Sequence, residues 1–133
     1  MEGGNLMAES VVTNVAKSKI IRVRAGLLSK LPKIKGMAFG DGASDGSTIR
    51  TPLATDTALQ NELHRQEIDG VELQDDQISA LYTATLAKAT LAGKNINEIG
   101  LYDDEGDLVA IKSFSNKGKD DDMEMGFDIM DKF

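Results

Sequence analysis

The chain has 133 residues, 41% of them hydrophobic, enough for one domain with a real core, and with four Phe, two Tyr and no Trp that core must be aliphatic. With no Cys, disulfides and thiolate metal sites are excluded. The net charge of −7 is uneven: residues 1–37 carry seven Lys/Arg against two Glu, and residues 38–133 carry eight Lys/Arg against twenty Asp/Glu.

A basic segment beside an acidic body can mark a nucleic-acid or membrane contact. The interleaved aromatics on which single strands stack are missing, and no apolar run reaches the length of a membrane span. A helix with a solvated basic face, docked on its own acidic domain or a neighbour's, accounts for the pattern, and neither nucleic acid nor membrane is expected. Residues 1–7 lack the basic and apolar blocks of a signal peptide, so synthesis in the cytosol is expected. They are set apart as a disordered or mis-assigned N-terminus. Glu2-Gly3-Gly4 can be encoded by a purine-rich, ribosome-binding stretch, which makes Met7 the expected natural start; a native N-terminal peptide containing Glu2-Gly3-Gly4 refutes this.

Residues 8–133 are expected to form a single domain. From Ala8 to Leu31, Val12, Ala16, Ile20, Val23, Leu27 and Leu31 recur every three or four residues, which predicts one amphipathic helix. Ser10 can cap it and Pro32 end it. Its apolar face must pack on a sheet or on another subunit, and Val12, Ala16, Ile20, Val23 and Leu27 are therefore the candidate interface.

Lys33–Phe39 reads as a strand, followed by the Gly- and Asp-rich loop Gly40–Ser47. A phosphate-cradling loop would need a Lys-Ser/Thr pair at a following helix start, and an EF-hand would need acids where Ala43 and Pro52 stand. Asp41 and Asp45 remain as weak candidates for a looser calcium site; a loop built on Asx turns and positive φ suits every residue in it. No cofactor is expected.

A second short helix is predicted over Thr57–Gln66, capped by Asp56 or Thr55, with Ala58, Leu59 and Leu63 inward. His64, the only histidine, has no Ser, Cys or second His at motif spacing and reads as a packing or surface residue. Ile68–Gln77 is acidic and suggests a turn or edge. Ile78–Leu86 alternates as a strand with one buried face, continuing through Ala87–Leu91. Asn95–Asp103 and Leu108–Phe114 form a hairpin around Asp104-Glu105-Gly106-Asp107, with Gly106 at positive φ. Asp103 and Asp107 are the acid pair on which a hydrolase could be built, but turn carboxylates are expected to be exposed and to lack the apolar setting that raises a pKa; no enzyme is expected. Asn116–Asp122 is a polar, solvated connector, and Met123–Phe133 alternates as a last strand covering the core. The predicted class is α+β, an N-terminal amphipathic helix and a second short helix packed on a mainly antiparallel sheet.

Two blocks carry a resemblance. The first is Met37-Ala38-Phe39-Gly40-Asp41-Gly42 with Pro52 and then Thr57 to Arg65; the second is Ile96-Asn97-Glu98-Ile99-Gly100-Leu101-Tyr102-Asp103-Asp104-Glu105-Gly106-Asp107-Leu108-Val109-Ala110. In this order and spacing, with Thr13-Asn14 ahead of them, they resemble the N-terminal domain of phage tail-collar fibre proteins. The resemblance implies a structural, particle-bound role in a phage, a prophage remnant or a phage-tail-like bacteriocin. The domain would join baseplate and fibre of a contractile tail through contacts with other tail, baseplate or fibre subunits, as a homo-oligomer, with a trimer favoured. The chain departs from the family in stopping at Phe133 without shaft or receptor-binding tip, so it is expected to be a piece of a longer fibre or a stand-alone adaptor. A small calcium- or carbohydrate-binding module of a tail particle is the alternative; the scarcity of aromatics speaks against the sugar.

Overall fold

The computed structural model describes residues 10–133. The expected start at Met7, residues 1–7, and Ala8 and Glu9 of the predicted helix lie outside the described residues. The elements run β1 (Val11–Val12), α1 (Asn14–Arg24), β2 (Ile34–Gly40), β3 (Glu62–Glu67), β4 (Gly70–Leu73), β5 (Ser79–Leu86), β6 (Asn95–Asp103), β7 (Leu108–Gly118) and β8 (Met125–Lys132). Strands β1-β7-β6-β2-β3 make one antiparallel sheet, and β4-β5-β8 make a second.

This corrects the α+β expectation. Among the described residues 46% are strand and 9% helix, in two sheets with one short helix. Two segments account for the difference. Thr57–Gln66 does not form a helix: Glu62–Glu67 pairs with β2, placing Gln66 opposite Met37 and His64 opposite Phe39. Its Glu, Leu, Arg and Gln have fair helix propensity, but an unpaired β2 edge needs backbone partners, and that tertiary demand wins. His64 packs beside the Phe39 ring at 5.9 Å, and its Nε2 lies 2.9 Å from the Gln66 side-chain oxygen.

The first helix is shorter than its apolar periodicity predicts. Val11 and Val12 pair with Ile111 and Ala110 instead, as β-branched residues beside an open strand edge favour. The cap is Thr13, not Ser10: its hydroxyl accepts the Ala16 N–H at 3.2 Å and donates to the Leu108 carbonyl at 2.8 Å. The helix ends at Arg24 with Ala25 as its cap, well before Pro32. Gly26 takes φ +78°, its N–H donates to Val23 O at 3.1 Å and the Leu27 N–H to Arg22 O at 2.8 Å. These two bonds are a Schellman motif, which needs a left-handed residue that glycine supplies without strain.

The hairpin forms as predicted, with Gly106 at φ +87° and its N–H on Asp103 O at 2.8 Å. Its first strand is buried from Ile96 to Asp103 because both faces of the large sheet are covered. On one face Met37, Phe39, Ile99 and Leu101 meet Ala84, Leu86, Phe127 and Ile129 of the small sheet. The Phe39 and Phe127 rings sit edge to face at 5.3 Å. On the other face Ala38, Tyr102, Leu108 and Ile111 bury Leu59 from the loop between β2 and β3. Residues 87–91, expected to continue β5, turn instead. Nor is the 116–122 connector wholly solvated: Lys119 is buried, its ammonium donating to the carbonyls of Lys88 at 2.7 Å and Asp120 at 2.8 Å.

Candidate docking surface around the first helix

The predicted stripe of Val12, Ala16, Ile20, Val23 and Leu27 is divided by the fold. Ala16 is buried and packs with Val12 against the core. Val12, Ala16 and Ile20 line one groove of about 260 Å³, while Val23 is half-buried and Leu27, past the helix end, is 75% exposed. Leu31, Pro32, Lys33 and Ile34 also line it, with Lys19, Asp103 and Val109, Tyr82 and Asp131 of the small sheet, and Phe133 just past β8. Leu31 is 46% exposed and Phe133 66%, so large apolar side chains beside the exposed Lys33 are open to solvent, a feature of contact surfaces. Burial raises the Asp131 carboxyl above the ordinary range, and burial together with Asp131 raises the Tyr82 phenol.

Lys19 fastens this helix to the hairpin turn. Its ammonium donates to Asp103 Oδ2 and Glu105 Oε1 at 2.7 Å each and to Asp107 Oδ2 at 2.8 Å. Burial pulls the ammonium down; the hydrogen bonds to Asp103, Asp107 and Glu105 outweigh it and hold Lys19 above its ordinary pKa of 10.5. Asp103 also accepts the N–H groups of Glu105 at 3.0 Å and Asp107 at 3.2 Å through Oδ1. The expectation that Asp103 is exposed was wrong: it is 1% exposed, because the helix and the turn close over it. Oxygens of Asp103, Glu105 and Asp107 lie within 4.8 Å of one another, close enough for a cation, and the Lys19 ammonium is the charge they hold. Lys19 and Asp103 are 84 positions apart, so no local motif links them; the alternating acids of the turn are the one sequence signal of a shared cation.

The Gly40–Ser47 loop is held from below by side chains that the sequence reading passed over. Buried Glu98 accepts backbone N–H groups from Gly42 at 2.9 Å, Gln60 at 2.8 Å and Asn61 at 2.9 Å. Buried Asn97 accepts from the Ala43 N–H at 2.9 Å. A register shift between Ile96 and Glu98 lets neighbouring residues both reach the loop. Asp41 and Asp45 are engaged separately. Asp41 Oδ1 accepts from the Asn61 amide at 2.7 Å. Asp45 accepts the N–H groups of Thr48 and Ser47 and the Thr48 hydroxyl, which hold it down at about 2.

No helix among the described residues is long and apolar enough to cross a membrane. The two sequence blocks that carry the resemblance lie side by side as β6, β2 and β3, with Phe39 opposite Ile99 and His64. A family model described as phage tail-collar fibre protein, N-terminal, matches residues 7–127. Nothing among curated proteins or among solved structures matches the chain.

Proposed function

We propose that this chain, which belongs to the phage tail-collar fibre protein family, is the part that joins a tail fibre to the baseplate of a contractile particle. The family is one of structural tail components and not of enzymes, and the chain is accordingly a virion-associated structural protein that interacts with other tail components. The observation that supports the joining role is the open apolar surface at α1: Leu31 and Phe133 are large, exposed and line a groove that also includes Ile20, and Leu27 is exposed just past the helix end. Burying such a surface against neighbouring subunits is the work of an adaptor. The proposed contact residues are Val12, Ala16, Ile20, Val23 and Leu27, with Ile20 and Leu27 making the outward contacts and Val12 and Ala16 supporting them from the core. A homo-oligomer, a trimer above all, is the form proposed for the assembled part.

Immunogold labelling of particles with an antibody to the chain tests the role. Label at the baseplate end where fibres attach is the expected result. Label confined to the head or the tube, or particles without the chain, refutes it.

A further inference from the structure

The two edges of the small sheet are finished differently. On β8 the carbonyls of Met130 and Asp128 are taken by the Ser10 hydroxyl and by the Lys112 ammonium, the latter at 3.3 Å. On the other side, where β5 runs past the end of β4, the Gln66 side-chain amide takes the Thr85 carbonyl at 2.9 Å. β4 itself pairs with β5 alone among the described residues. The Gln74 N–H donates to Ser79 O at 2.9 Å, and bonded and non-bonded pairs alternate along an antiparallel ladder, so the N–H and C=O groups of Val71 and Leu73 point to the open side.

The side chains of the same two residues are uncovered. Val71 pairs with Tyr82 and Leu73 with Ala80, on the face of the small sheet that meets the core. That face overhangs the core at one end: the Phe133 N–H continues the ladder to Ile78 O at 3.0 Å, and Val71, Leu73, Ile78 and Phe133 are each more than half exposed. Charges alone can blunt an edge against pairing, but they do not account for an apolar row left open beside it. Gln66 to Ala87 hold Glu67, Asp69, Glu72, Asp75 and Asp76, all exposed, and no Lys or Arg. The bases bordering this corner are Lys33 in the helix groove, Lys35, whose carbonyl accepts the Ile68 N–H at 3.2 Å, and Lys132 opposite Ser79, so the acids prevail. A second β4 laid along the first would set acid against acid; a strand carrying lysine or arginine would be drawn in.

We propose that the small sheet takes a fourth strand at β4, an extended basic segment of another tail component whose alternate apolar side chains cover Val71 and Leu73. The inference rests on the joining role proposed above only in placing the owner of that segment in the tail.

The probe is a capped peptide of alternating lysine and valine. The controls are an alternating glutamate–valine peptide and a lysine–valine peptide of block order. With the full chain, the alternating basic peptide should slow amide exchange of Val71 and Leu73, read by NMR, at least about tenfold, and bind at least about tenfold more tightly than either control. Val71→Pro removes an outward N–H, which an edge strand tolerates, and should abolish binding; Glu72→Lys should weaken it. Circular dichroism checks that each variant is folded, and Leu73→Thr replaces Val71→Pro if the proline unfolds the chain, with a smaller loss expected. Unchanged exchange at Val71 and Leu73, protection at the α1 groove instead, or equal binding of the block-order peptide overturns the inference. So does a dimer of the chain alone that Val71→Pro dissolves, which would assign the edge to a second copy. Peptide binding at β4 without baseplate label overturns the joining role and leaves the edge; baseplate label without peptide binding does the reverse.

Discussion

Replacing Lys19 by Met keeps the aliphatic stem of the side chain and removes the ammonium that ties α1 to the hairpin turn. The arms to Glu105 and Asp107, 61% and 51% exposed, contribute at most about 1 kcal/mol each. The arm to Asp103 dominates: that carboxylate is 1% exposed and 2.7 Å from an ammonium whose side chain is 12% exposed. Removing one partner of a buried pair costs about 3–5 kcal/mol because the remaining charge is stranded. Here Asp103 keeps two backbone N–H donors, at 3.0 and 3.2 Å, which places the cost at the low end, about 3 kcal/mol. Against a domain stability of about 5–15 kcal/mol the variant still folds, with its melting point lowered by about 10 °C. Urea unfolding of Lys19→Met, Asp103→Asn and the double variant isolates the pair, with a coupling of about 2 kcal/mol expected. The pH dependence has a definite sign. The native state holds the Lys19 proton more tightly than the unfolded chain, so the contribution is fully present below pH 10.5 and is lost as pH rises through the raised value. The difference between wild type and Lys19→Met should therefore be flat from pH 7 to 9. A cost under about 0.5 kcal/mol with no coupling would mean that the turn alone holds Asp103.

Glu98→Ala strips three backbone N–H groups of their acceptor and should cost about 3–4 kcal/mol; limited proteolysis should then cut first between residues 41 and 61, and an unchanged cleavage pattern refutes the anchoring role. Asp131→Asn removes a carboxyl that burial raises. The native state binds that proton more tightly, so wild type gains stability as pH falls through the raised value; the variant should be the more stable at pH 7, with its advantage closing by pH 3.8 in thermal melts. Gly26→Val puts a β-branched residue at φ +78° and should cost about 1–2 kcal/mol by thermal melting, with no steric clash to add. Gly36→Ala drives a Cβ into the Gln66 carbonyl and the Tyr102 ring, and a stable soluble variant would show that β2, β3 and β6 can separate more easily than their packing implies.

Local pattern alone determined those parts of this protein whose signal lies within a few residues. The hairpin of β6 and β7 and its Gly106 turn follow from β-branched and apolar runs around a glycine. β2, β5 and β8 follow from their own composition and alternation, and the family blocks lie in part on strands so marked, β2, β6 and the start of β7. What tertiary structure decided is how competing local preferences were resolved. Glu62–Glu67 carries a helical preference and became a strand because β2 needed a partner. Val11 and Val12 belong to a helical periodicity and joined β7 because its edge was open, so the helix began at Thr13. Gly26 falls within the predicted helical span, but its left-handed backbone ended α1 and left Leu27 outside. The buried partnerships of Lys19 with Asp103 and of Glu98 with the loop join residues far apart in sequence. A charge's burial depends on what folds over it, and composition and spacing carry no record of that.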